Sequence, residues 1–118
     1  MASQIDLVAI ISPKPGKTDR VIELLQEVAE YIKNNEHGTL KYNITRSFNK
    51  QSGVDEIIMI EMFAFAASAF GYKDKAAMLA HGSSKEFTAF QRKIQEEGLV
   101  GAPMQLKITK PAGGFSRL

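Results

Sequence analysis

The chain has 118 residues, 24% of them charged, with a formal net charge of +2 and no cysteine. That length supports one domain with a modest core, to which a partner subunit would add stability. The mixed charges form no basic stripe for nucleic acid or a membrane surface, and without cysteine there is no disulfide framework, thiolate metal site or cysteine nucleophile.

The first residues, MASQIDLVAIIS, carry no cation ahead of an apolar run of strand length, so neither a signal peptide nor a membrane span is expected, and the protein reads as intracellular. Ile5 to Ser12 is predicted as a strand that is apolar on both faces at its centre (Leu7, Val8, Ala9, Ile10, Ile11), ended by Pro13 and Pro15-Gly16. From Thr18 the period changes to that of an amphipathic helix. Val21, Leu24, Leu25, Val28, Tyr31 and Ile32 share one stripe, and Asn34-Asn35 with Gly38 supplies the stop. His37, beside that stop, reads as a surface residue.

Leu40 to Phe48 alternates, with Leu40, Tyr42, Ile44, Arg46 and Phe48 on one face and Lys41, Asn43, Thr45 and Ser47 on the other. Which face meets a cavity is left open by the pattern. Asn49 to Asp55, with Gly53, turns the chain into a third strand, Glu56 onward, whose Ile57, Ile58, Met59 and Ile60 are apolar on both faces. Glu61 near its end is therefore no ordinary solvent-facing carboxylate. Further on, His81 closes a short helical turn, Gly82 breaks it, and Ser83-Ser84-Lys85-Glu86 opens a helix with Phe87, Phe90 and Ile94 on one face. Met104, Leu106 and Ile108 then alternate with polar residues in a last strand.

The order βαββαβ, with the two doubly apolar strands first and third, fits an α+β, ferredoxin-like domain: a four-stranded antiparallel sheet in the order 4-1-3-2, spanning residues 1–110. Two helices cover one face of such a sheet. The apolar residues on the other face need a second cover, and a homodimer supplies it. Residues 111–118 read as a flexible tail.

The βαββαβ chain, Pro15-Gly16-Lys17 opening the first helix, Ile60-Glu61-Met62 ending the third strand, Tyr72-Lys73-Asp74-Lys75-Ala76-Ala77, and His81-x-x-Ser84-x-x-Phe87 together resemble the antibiotic biosynthesis monooxygenase domain family over nearly the whole chain. The resemblance implies a dimeric α+β barrel among whose members are cofactor-free oxygenases of quinols, phenols and anthrone-like compounds, haem-degrading enzymes, and proteins with no known reaction. Haem degradation is set aside, because that branch relies on a tryptophan absent here and an asparagine on a first strand where Ala9 and its neighbours offer no amide. Relative to the family, Phe63 to Gly71 looks inserted before Tyr72. Its charge-free composition is expected to extend the third strand or to form a lid, and its deletion is expected to leave the fold intact.

Cofactor-free oxygenation asks the protein for a base, donors toward a developing oxyanion, and a dry apolar cavity for dioxygen and substrate. His81 is the candidate base with Glu61 as its orienting carboxylate, while Tyr42, Asn43, Arg46, Phe63, Phe65 and Tyr72 are candidates for substrate binding. A histidine at a helix end also serves as a cap, and a buried acid also serves as a structural pair. No cofactor and no metal are expected: the chain has no G-x-G-x-x-G loop, no thiolate and two scattered histidines, His37 and His81. The competing readings are a non-catalytic dimeric module, binding a small ligand or serving a stress response, and a cofactor-free isomerase or decarboxylase using the same base. Finally, Ser116-Arg117-Leu118 differs from the peroxisomal tripeptide S-K-L by one cation for another, so in a eukaryote the expected location is the peroxisome and otherwise the cytoplasm.

Overall fold

The computed structural model describes residues 2–48, 55–66 and 84–117. In chain order these form β1 (Ala2–Ile11), α1 (Thr18–Asn35), β2 (Thr39–Ser47), β3 (Glu56–Ala66), α2 (Ser84–Glu97) and β4 (Gln105–Thr109). The four strands make one antiparallel sheet in the order β2-β3-β1-β4. The two doubly apolar strands occupy the centre, as their composition requires, because a central strand is covered on both edges and packs on at least one face.

Alternation then divides the side chains. The odd-numbered residues of β1 and β3 (Leu7, Ala9, Ile11, Ile57, Met59) are buried against the helices. With Val21, Leu24, Leu25, Val28 and Ile32 of α1 and Phe90 and Ile94 of α2, most of them form one core cluster. The helical stripe read from α1 is the stripe that is buried. The even-numbered residues Val8, Ile10, Ile58, Ile60 and Met62 lie on the opposite, open face, half-buried apart from Ile60, which is 40% exposed.

Two glycines set the helix boundaries. Gly16 takes a positive φ of 79° in the turn before α1, where Lys17 donates to the Lys14 carbonyl (3.0 Å). Gly98 (φ 61°) ends α2: its N–H reaches the Gln95 carbonyl at 3.2 Å, and that of Leu99 reaches Ile94 at 3.1 Å, the paired bonds of a Schellman cap. The cap turns Leu99 into the core, where it is 2% exposed, and brings Lys14 N–H to the Leu99 carbonyl at 2.8 Å. Arg20 of α1 binds Glu97 of α2 through two bonds of 2.9 Å, tying the helices at the surface.

Of the two expected forms, strand extension is what residues 63–66 show: Phe63 to Ala66 are the last four residues of β3, paired with Ile5 back to Ala2 of β1, with Phe63 also facing Thr39 of β2. Backbone groups engaged in this way argue against the expected dispensability of these four residues. Residues 67–71 lie outside the described residues. After β4 the chain runs through residues 110–117 without regular structure, exposed throughout, with the Arg117 guanidinium 4.7 Å from the Phe115 ring centre.

Candidate functional site

Across the sheet, the register aligns one residue from each strand on the helix-covered face: Ile108, Leu7, Glu61 and Tyr42. Glu61 is the only acid in that row. Along its own strand its same-face neighbours are Met59 and Phe63, so the carboxyl is set among apolar groups on three sides and a phenol on the fourth. Among the described residues it makes no hydrogen bond or ion pair. Burial without compensation disfavours its charged form and pushes its pKa from the ordinary 4.5 up to about 7.

Tyr42 is held by its pairing opposite Glu61 and packs partly against the core. Burial first, then the Glu61 carboxylate, then that of Glu36, raise its phenol well above the usual range, so it remains a hydrogen-bond donor at any ordinary pH. An acid that titrates near neutrality beside a phenol that does not is a proton acceptor next to a fixed donor.

The other sequence candidates fall differently. Phe63 joins the pair, half-buried on the same face. Asn43, paired with Ile60, is on the open face and is not brought to Glu61. Arg46 shares the helix-side face but sits four residues further along β2, roughly 13 Å at strand rise. There it is engaged by Asp55 at 2.7 and 2.9 Å and by Asp19 at 2.9 Å, while stacking over Phe48. It staples the first turn of α1 to the β2-β3 connection. Phe65 contributes its backbone to the β1-β3 ladder; Tyr72 and His81 lie outside the described residues. Glu36 was not singled out from sequence, where it reads as one of several polar residues at a helix end. Its Oε2 is buried with no hydrogen-bond partner among the described residues, and burial raises its pKa.

The raised Glu61 pKa has a consequence for stability. The folded state holds a proton that the unfolded chain releases near pH 4.5, so this contribution is fully present below that pH and is lost as pH rises through about 7. Allowing for partial solvent access, the loss is about 2–3 kcal/mol. Glu61→Gln should remove this slope, so that urea melts show the variant gaining on the wild type between pH 5 and pH 8; parallel curves would mean that Glu61 is solvated.

A four-stranded antiparallel sheet in this order, with both helices on one face and an acid and phenol on that same face, defines a ferredoxin-like α+β domain with a desolvated acid at its sheet. The chain belongs to the antibiotic biosynthesis monooxygenase family, whose model matches residues 5–93. A structure from Caulobacter crescentus CB15, described as a candidate antibiotic biosynthesis monooxygenase, is 22% identical and superposes with a TM-score of 0.69 over 93% of this chain and 91% of that one. A Mycobacterium tuberculosis protein is 18% identical, with a TM-score of 0.66 over 97% and 100%, and a Pseudomonas aeruginosa protein is 21% identical, with a TM-score of 0.62 over 94% and 96%. At these identities the likeness is one of fold. No curated protein matches the chain. No helix among the described residues is long and apolar enough to cross a membrane.

Proposed function

We propose that the protein is a cofactor-independent monooxygenase acting on a small phenolic, quinol or anthrone-like aromatic. The observation that carries this reading is Glu61: a carboxyl titrating at about 7, unpaired among the described residues, beside the Tyr42 phenol on the helix-covered face. Glu61 is assigned as the base, a larger role than orienting His81. Its carboxylate takes the proton from the substrate's activated carbon or hydroxyl, and the resulting anion passes one electron to dioxygen, a step that the neutral singlet substrate resists. The radical pair combines to a peroxide, and loss of water leaves the quinone, so that an anthrone and one dioxygen yield an anthraquinone and one water. Tyr42 donates to the oxyanion that forms, and Phe63 supplies apolar wall. His81, Phe65 and Tyr72 are proposed to complete the cavity, with His81 returning the proton.

The test is oxygen uptake with a panel of quinols and anthrones, in the presence and absence of a chelator. Uptake insensitive to chelation, with no bound chromophore in the purified protein, is the expected result. No uptake across the panel would favour the non-catalytic binding module, and anaerobic turnover would favour an isomerase or decarboxylase.

We further propose a homodimer formed through the open sheet face. Val8, Ile10, Ile58, Ile60 and Met62 make a contiguous apolar strip there, bordered by Asn43 and Thr45 on one side and Gln105, Lys107 and Thr109 on the other. An apolar centre with a polar rim is the anatomy of an interface. Sedimentation at micromolar concentration should give the dimer mass, and Ile60→Lys should give the monomer. A wild-type protein that sediments as a stable monomer would rule the interface out.

A further inference from the structure

The open face of the sheet is apolar at its centre but not free of charge. Alternation puts Lys41, Glu56, Asp6 and Lys107 on it, one from each strand. Two of these stand away from the strip. Lys41, opposite Met62 and next to the register shift in β2, lines a groove against α1, and Glu56 is exposed at the start of β3, opposite Ser47. The other two border the strip itself. Lys107 is paired with Val8, and Asp6 is the next residue of β1 on the same face, opposite Met62.

Asp6 is half-buried and accepts a hydrogen bond from Gln4 Nε2 at 3.0 Å, while Lys107 is exposed. Neither takes part in an ion pair among the described residues. Covering an apolar strip with a carboxylate beside it is costly unless a cation arrives with the cover. A partner seated on Val8, Ile58 and Ile60 must therefore bring a positive group to Asp6 and a negative group to Lys107. A second copy of this chain brings both, because in a twofold interface residue i meets j and j meets i, so that one acid–lysine match is made twice.

We propose that in the homodimer, on which this inference rests, Asp6 of each copy pairs with Lys107 of the partner subunit, and that these two ion pairs fix how the sheets face one another. A twofold axis crossing the strands between Asp6 and Val8 lays each Asp6 over the Val8–Lys107 pair of the other copy, and Ile60 against Met62. With packed sheets about 10 Å apart and neighbouring strands about 4.8 Å apart, the Cα atoms of Asp6 and the opposing lysine are roughly 11 Å from one another. That span is within the combined reach of an extended lysine, an aspartate and one hydrogen bond. Apolar contact supplies the area, and the charges reject faces and orientations that leave them unmatched.

The experiment is sedimentation of the full-length protein at low ionic strength. Asp6→Lys sets lysine against lysine in both contacts and Lys107→Asp sets aspartate against aspartate, so each variant alone should dimerise at least tenfold more weakly than the wild type. Mixed in equal amounts, with one of them carrying a fluorophore, the two should recover the wild-type affinity as a heterodimer, since both contacts are again lysine to aspartate. A pair formed within one chain is not restored by mixing. Circular dichroism melts establish that the variants fold; should a reversal fold poorly, Asp6→Asn serves, and its dimer should lose the salt dependence that the wild-type dimer shows. A wild-type monomer would remove the dimer and the ion pairs with it. A wild-type dimer whose reversed variants dimerise unimpaired, or weaken without recovering on mixing, or whose salt dependence survives Asp6→Asn, would leave the dimer standing and overturn the pairing.

Discussion

Replacing Glu61 with Gln is expected to lower the oxygenation rate by roughly 10²–10⁴-fold, the range that a positioned general base supplies. Gln keeps the size and planarity of the side chain and its place between Leu7 and Tyr42, so the packing around it is retained while the proton acceptor is lost. In the wild type, kcat/KM should rise with pH and level off above about 7, because only the ionised carboxylate accepts the proton and burial holds half-ionisation near that pH. The variant should lose this limb together with its rate. Tyr42→Phe separates the roles: it removes the donor toward the oxyanion and leaves the base, so the rate falls while the rising limb stays. A Glu61→Gln enzyme with wild-type turnover would remove Glu61 from the mechanism and return the base to His81. Gain of stability at pH 8 with loss of rate, in the same variant, would mark a site where burial of an acid is retained for chemistry.

Deleting residues 63–66 is expected to prevent cooperative folding. The four residues close the β1-β3 ladder from Ile5 to Ala2, and Ala64 N–H donates to the Gly38 carbonyl at 2.8 Å, anchoring the α1-β2 connection to the central strand. The approach at Gly38 is close, since a Cβ there would stand 3.2 Å from the Ala64 carbonyl oxygen and a side chain would need the strand to give by a few tenths of an ångström. Loss of about four backbone hydrogen bonds at roughly 0.5–1.5 kcal/mol each, together with uncovering Ile5, at about 1.5–3 kcal/mol, totals roughly 4–9 kcal/mol. That approaches the whole stability of a small domain, about 5–15 kcal/mol. Far-UV circular dichroism with a urea melt is the measurement. A sharp transition near the wild-type midpoint would restore the view that this segment is an addition to a complete strand.

Much of the architecture was legible in the residues themselves. Strands apolar on both faces belong in the middle of a sheet, so the runs at Leu7–Ile11 and Ile57–Ile60 placed β1 and β3 at its centre, and the 3.6-residue stripe of α1 named its buried face. Glu61 stood out because a lone acid at the end of such a strand has no solvent-facing register available. The end of β3 was left open between an extended strand and a lid because an uncharged Phe-Ala alternation has no internal mark of where pairing stops, and that is decided by the length of the partner, here the Ala2–Ile5 start of β1.

What the sequence by itself determined about this protein is therefore the element order, the sheet order and the acid to examine, since these rest on local periodicity. Only the tertiary structure decided which face of β2 turns inward. Alternation defines two faces and is symmetric between them, and it was packing under α1 that put Tyr42 beside Glu61, left Asn43 outside and gave Arg46 to Asp19 and Asp55. The same holds for the electrostatics: the pKa of Glu61 is raised by burial on a sheet face where its neighbours, Leu7, Met59, Tyr42 and Phe63, are drawn from three strands, and the Glu36 oxygen without a partner among the described residues lies where a helix end meets a bulged strand. Such environments exist only once segments distant in sequence are in contact.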